Sequence, residues 1–271
     1  MTKRPLLLAT LDGYAVEGGF DRPYEPATCY SPTIALGRLA GPGVAGALWA
    51  DYERVLEVAA SLGLDGVRLT MEWARVEPHR GRVDNEALER YGEVVRFATS
   101  LGLHVTVALI DGVWPAWLGL EAWLLPWVAP HVLAHARRVV SELGSDVGGV
   151  VIFTNPDDLS RRGYVEGSIP PWRHGEHADA RRARQQIQEI VRLLEADPVV
   201  GPRIVKATLT LDLDLDSDEL LDARSASAYE EVYVRSLVKG TGPTGSRSGL
   251  LVKHNGEWSA VAPSEVLDAL R

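Results

Sequence analysis

An α/β fold is predicted, a shortened barrel of about six parallel β/α units, and three observations predict it. Short β-branched runs alternate with amphipathic helical segments through the first two thirds of the 271-residue chain. No glycine-rich phosphate fingerprint follows a strand, which favours a closed barrel of the TIM type over a dinucleotide-binding sheet. No low-complexity linker breaks the pattern, so residues 1–271 read as one domain.

The elements follow in order. Residues 5–10 read as the first strand. Residues 12–46 form a Gly/Pro-punctuated loop too long for a mere connection, and therefore expected to be functional. Val55, Leu56, Val58, Ala59 and Leu62 place a helical stripe on 51–62, closed by Gly63. Residues 66–73 read as a buried strand, and Asp84 caps a helix that runs to about Ser100. Strands follow at 104–110, 148–154 and 203–213, with helices at 130–143 and 178–196 between them. Residues 217–238 read as mainly helical, 249–254 as a last strand and 263–270 as a terminal helix.

Composition narrows the function. The chain is 46% hydrophobic and 24% charged, ordinary for a globular protein. A net charge of −9 argues against nucleic acid, which needs a basic stripe. The single cysteine, Cys29, excludes an internal disulfide and a thiolate metal cluster and reads as a buried small residue. The apolar run near the N-terminus is too short for a secretory signal. Residues 113–129, the most apolar stretch, carry Glu121, Pro115 and Pro126 and do not read as a membrane span. A cytoplasmic protein is expected. Arg outnumbers Lys 24 to 4, a bias of high-GC, actinobacterial-type genomes.

Local sequences then resemble glycoside hydrolase family 1, the β-glucosidase family. Tyr14-Ala-Val-Glu-Gly18 resembles its Tyr-Gln-Ile-Glu-Gly segment, and residues 62–78 resemble its second strand with Arg68, Trp73 and Arg75 in place. Residues 102–118 are similar to the third strand. Phe153-Thr-Asn-Pro156 stands where the family has Asn-Glu-Pro, and Gly163-Tyr-Val-Glu-Gly-Ser-Ile-Pro-Pro171 resembles the loop that follows. Residues 237–243 and 247–252 resemble segments near the family's C-terminal end. The resemblance implies a shortened family barrel whose sixth and seventh units are missing.

The departures matter more. Family members split β-glycosides with two carboxylates about 5–5.5 Å apart. The acid/base glutamate corresponds to Asn155, the asparagine before it to Thr154, and no nucleophile motif of the Thr-Glu-Asn-Gly kind is present. The sugar-gripping glutamine, histidine and tryptophan fall on Ala15, Asp111 and Gly112. An ordinary retaining β-glucosidase is therefore not expected.

In such barrels reactive groups project from the C-terminal ends of strands. Glu72 and Asp111 end the second and third strands, where two neighbouring carboxylates would serve as acid and base. A salt bridge from Glu72 to Arg68 or Arg75 is the structural alternative. Asn155 would orient substrate. Substrate-binding candidates are Tyr14, Glu17, Arg68, Trp73, Trp114, Trp117, Thr154 and Tyr164, the tryptophan cluster reading either as core packing or a subunit interface, or as an apolar mouth. Asp157 and Asp158 read as caps of the next helix. The alternation in 211–218 reads as a polar strand face rather than a calcium loop, and His131 and His135 as packing or surface residues. Neither a metal nor a cofactor is expected.

The expected function is acid/base chemistry, such as cyclisation, isomerisation or dehydration, on a largely apolar or aromatic small molecule in bacterial specialised metabolism. Residual β-glycoside processing and a non-catalytic ligand-binding or scaffold protein are the alternatives. Missing units would leave sheet edges to cover, by a homodimer or a rearranged closure.

Overall fold

The computed structural model describes residues 6–21, 24–61 and 63–206, and the backbone of four later strands at 208–212, 231–235, 250–254 and 257–261. Six strands make one sheet: β1 (Leu6–Leu11), β2 (Gly66–Thr70), β3 (His104–Ile110), β4 (Gly149–Phe153), β5 (Thr208–Asp212) and β6 (Glu231–Arg235). Their spatial order is β4-β3-β2-β1-β6-β5, with every neighbour parallel. Strand β4 meets the segment leading into β5 through an isolated parallel bridge between Val150 and Ile204, where the Val205 N–H donates to the Val150 carbonyl at 3.0 Å. The sheet thus closes on itself as a shortened barrel, within one chain. Strand β6 pairs with β1, as a closing strand must.

The helices follow from ordinary local chemistry. They are α1 (Gly13–Val16), α2 (Ser31–Ala35), α3 (Tyr52–Ser61), α4 (Trp73–Val76), α5 (Asn85–Ser100), α6 (Val128–Leu143), α7 (Pro156–Arg161) and α8 (His177–Glu195). Asp84 caps α5 by accepting from the Ala87 N–H at 3.0 Å, and Leu88, Tyr91, Val95 and Ala98 bury one stripe of that helix. Strands β2 and β4 are buried at every residue and β3 at all but His104, since one face looks into the barrel and the other lies under helices.

Four expectations are corrected. Residues 231–235 are a strand and not helix: the β-branched alternation of Glu-Val-Tyr-Val-Arg pairs with β1 and β5, and long-range pairing overrides local helix propensity. Residues 250–254 pair antiparallel with 257–261, forming a two-stranded ribbon, β7 (Leu250–His254) and β8 (Glu257–Val261), instead of another parallel strand. Trp73 opens α4 rather than ending β2. Arg203 ends a 3-10 turn, Gly201–Arg203, instead of opening the expected 203–213 strand, and β5 covers Thr208–Asp212. The expected helix at 263–270 and the resembling segment at 237–243 lie outside the described residues.

No helix of the described residues is long and apolar enough to cross a membrane.

Candidate active site

A cavity of about 230 Å³ opens at the C-terminal ends of the strands. The chain leaving β1 supplies Asp12, Tyr14 and Ala15, and the long loop adds Tyr30. Asp111, Gly112 and Val113 come from the end of β3, where Gly112 takes a φ of +75° that turns the chain away and leaves Asp111 at the rim. Thr154 and Asn155 come from the end of β4, and Asp158, Leu159, Arg162 and Ile169 from α7 and the turns after it. The wall is part apolar and part polar, as in most small-molecule sites.

Asp111 is the carboxylate the strands present most directly. Thr70 Oγ1 donates to its Oδ2 at 3.4 Å, and Thr154 Oγ1 donates to its Oδ1. Both donors are neutral. The other two cavity carboxylates have cationic partners: Arg68 Nη2 lies 3.1 Å from Asp12 Oδ1, and Arg161 Nη2 lies 2.6 Å from Asp158 Oδ1. Asn155 stands at the N-cap of α7 and reaches the cavity.

Glu72 sits beneath this floor rather than in it. The carboxyl is buried, and α1 lies across it, with the Tyr14 N–H donating to Glu72 Oε1 at 2.8 Å. Neither Arg68 nor Arg75 pairs with it; they bind Asp12 and Glu17 instead. Burial pushes the Glu72 carboxyl well above the usual carboxylate range, and the charges of Glu17 and Asp111 push the same way. Glu72 therefore favours the protonated, neutral form. It and Asp111 feel one another electrostatically, as the spacing of adjacent strands implies, but only Asp111 lines the cavity.

The other expected binding residues divide similarly. Tyr14 and Thr154 line the cavity. The Tyr14 hydroxyl is tied to Asp21 Oδ2 at 2.5 Å, so the ring and not the hydroxyl is what it offers. Glu17 is buried: Arg75 Nε donates to it at 3.0 Å and the Tyr91 hydroxyl at 2.6 Å. Arg75 is itself sandwiched between the Phe20 and Trp49 rings, 4.2 and 4.0 Å from their centroids. This cluster ties the long loop to α4. Arg68 is buried and pairs with Asp12, which lines the cavity.

The apolar mouth built of tryptophans is corrected. Trp73 and Trp114 are fully buried in the core and Trp117 is half-buried, and none lines the cavity. Trp73 Nε1 donates to Glu77 Oε2 at 3.2 Å while its ring stacks on His135. Trp114 Nε1 donates to the Gly119 carbonyl at 2.8 Å, and Trp117 Nε1 to the Glu77 carbonyl at 2.8 Å. Two 3-10 turns, Ala116–Leu118 and Ala122–Leu124, fold this segment inward. Tyr164 is buried as well, off the cavity.

Sequence reasoning missed Asp12, Tyr30, Asp158 and Arg162 as cavity residues. Tyr30 lay inside the loop marked as functional by its length, and Asp158 and Arg162 share the i, i+4 spacing of one helical face. Cys29 is buried, and burial raises its thiol pKa well above the ordinary range. Among the described residues, no three His, Cys, Asp or Glu side chains converge to hold a metal ion.

Fold and site together define a shortened, glycosidase-like barrel with an altered mouth. The resemblance to β-glucosidases is borne out by comparison with known proteins. The chain is 25% identical to β-glucosidase 5 of Oryza sativa subsp. japonica over 166 residues, which are 59% of this chain and 32% of the rice protein. Its fold matches a β-glucosidase from Exiguobacterium marinum with a TM-score of 0.65 at 20% identity, covering 84% of this chain and 54% of that one. A rice β-glucosidase structure matches with a TM-score of 0.66 at 17% identity, covering 83% and 52%. No family model matches the sequence. The chain thus spans about a third of the curated rice relative and about half of the solved structures.

Proposed function

We propose that this barrel uses Asp111 as a general acid/base on a small, partly apolar molecule, and that it has left β-glycoside hydrolysis behind. One observation carries the reading. Asp111 ends a central strand, is held by two neutral hydroxyls, and faces a cavity whose other carboxylates are already paired with arginine. Arginines already hold Asp12 and Asp158 in ion pairs, whereas Asp111 has no arginine or lysine partner among the described residues and is left to meet a substrate. Tyr14, Val113, Leu159 and Ile169 supply the apolar wall. At about 230 Å³ the cavity falls below the roughly 300–1,000 Å³ of drug-sized sites and suits a molecule of one or two rings. Proton-transfer steps of cyclisation, isomerisation or dehydration fit such a site, with Asn155 orienting the substrate. Glu72 acts as a positioning group under Tyr14.

The glycoside-processing reading rests on the β-glucosidase fold and on three carboxylates, Asp12, Asp111 and Asp158, around one cavity. Two assays on the purified protein separate the readings. The first measures turnover of an aryl β-glycoside panel. The second follows ring opening of 5-nitrobenzisoxazole, a small apolar probe that reports a positioned base. Acid/base chemistry predicts no glycoside turnover above buffer and saturable ring opening that falls about 100-fold in Asp111→Asn. Glycoside turnover lost in Asp111→Asn would replace the proposal, and inactivity in both assays would favour a ligand-binding protein.

A further inference from the structure

We propose that Arg162 and Tyr30 form an oxyanion-binding pair inside this cavity, which takes a carbonyl or phenolic oxygen of the substrate opposite Asp111. The inference rests on the reading of Asp111 and names the substrate class: a small ring compound with an enolisable carbonyl.

Of the cavity carboxylates, Asp12 and Asp158 are occupied by Arg68 and Arg161. Arg162 also lines the cavity, yet among the described residues it pairs with no carboxylate; its Nε donates to the Ser168 hydroxyl at 3.3 Å, which leaves the two Nη groups of the fork. Arg162 opens one turn of π-helix, Arg162–Glu166, directly after α7. Such a turn widens the helix and re-aims its side chains, and it recurs at functional sites.

Tyr30 is the second donor. Its ring stacks on Tyr14 at 5.1 Å and meets Trp172 edge-on at 5.8 Å, which fixes its orientation. Tyr30, Arg162 and Asp111 line the same cavity, and the charges of Arg162 and Asp111 both act on the Tyr30 hydroxyl. Burial raises the phenol pKa, and the group stays a neutral donor at physiological pH. A preorganised cation and a neutral O–H aimed at one oxygen stabilise charge that develops there.

The step balances within the site. The Asp111 carboxylate takes a proton from the carbon beside the carbonyl, and the C–H electron pair becomes a C=C bond. The carbonyl π pair moves onto oxygen, giving an enolate held by Arg162 and Tyr30. In a ring compound with a C=C bond β,γ to the carbonyl the enolate is a conjugated dienolate. As the oxygen pair re-forms C=O, the C=C shifts into conjugation and the γ-carbon takes the proton back from Asp111, which completes an isomerisation with no oxidant or co-reactant.

The test uses 4-nitrophenol with the full chain, at a pH below the probe's own pKa, followed by visible absorption of the phenolate. The expected result is binding as phenolate, weakened at least about tenfold in Arg162→Gln and less in Arg162→Lys, which keeps the charge but loses the fork. Tyr30→Phe weakens it too, and Asp111→Asn tightens it by removing a like charge. Far-UV circular dichroism and the urea midpoint check that each variant is folded. A probe bound as neutral phenol, equal binding by folded Arg162→Gln, or no binding by the parent protein overturns the inference. The two proposals fail separately. A phenolate complex with unchanged ring opening in Asp111→Asn sinks the role of Asp111 and keeps the pair. Asp111-dependent ring opening without a phenolate complex does the reverse.

Discussion

His135 offers a stability test that is independent of any activity. Its ring is fully buried on α6, stacked on Trp73 at 5.0 Å with an interplanar angle of 11°, and neither ring nitrogen has a hydrogen-bond partner among the described residues. Burial, with the charge of Arg138 adding, lowers its pKa from 6.5 to about 3. A depressed pKa contributes stability that is present above the unfolded value of 6.5 and is lost as pH falls toward the folded value. Well inside that window each pH unit costs about 1.4 kcal/mol, so acidification from pH 7 to 4.5 removes about 3 kcal/mol through this residue. His135→Leu removes the titration. At pH 7 the variant loses the ring stack, worth about 0.5–1.5 kcal/mol, but no longer buries two unpaired nitrogens, each costing about 1–3 kcal/mol. Near-parity or a modest gain is expected at pH 7, and an advantage about 3 kcal/mol larger at pH 4.5. Urea unfolding followed by tryptophan fluorescence at both pH values measures the difference. Parallel pH dependence in the two proteins would mean that His135 does not titrate differently in the folded and unfolded chains.

Other perturbations probe the floor of the site. Glu72→Gln keeps an acceptor for the Tyr14 N–H but cannot ionise. Because the Glu72 pKa is raised, the parent protein loses stability as pH climbs from the unfolded carboxylate value toward the folded one; the variant's advantage in urea midpoint should be absent at pH 4 and grow toward pH 8. A flat difference would contradict the burial argument. Arg75→Leu leaves the Glu17 carboxylate buried without its cation, at a cost of about 3–5 kcal/mol in urea unfolding, and Arg75→Leu/Glu17→Leu should recover much of it. At Gly13 an added Cβ would lie 2.6 Å from Glu72 Oε1, so Gly13→Ala should cost about 1–3 kcal/mol, read as a lower thermal midpoint.

Local patterns were legible wherever local physics decided them. Strand β3 was readable to the residue, because its largely apolar, β-branched seven-residue segment ends at a charge and a glycine. Helix α5 announced itself through Asp84 and a regular stripe. What escaped the sequence reading depends on distant partners. The fate of Glu72 is set by Tyr14, 58 residues earlier, whose backbone covers a strand end that would otherwise open to the mouth. Strand β6 is stabilised by neighbours that no local window contains. The tryptophans misled for a related reason: closeness in sequence to a strand end says nothing of direction, and two tight turns carry them into the core. Tyr30 and Arg162 come from loop and π-turn, where side-chain aim has no periodicity to reveal it.

Closure of the sheet has a mechanical consequence. Five neighbouring strand pairs share ladders of four or five rungs, but among the described residues β4 meets the far side of the ring through a single rung, Val150 to Ile204. A hoop fastened at one clasp parts there first. The Val205 amide, which donates to Val150, is the natural reporter of that parting, and its hydrogen exchange should outrun that of the amides within β2 and β3. Asp111 and the Thr70 and Thr154 hydroxyls that hold it stand on the continuous side of the hoop, so the staves bearing the proton carrier can stay in register while the clasp breathes.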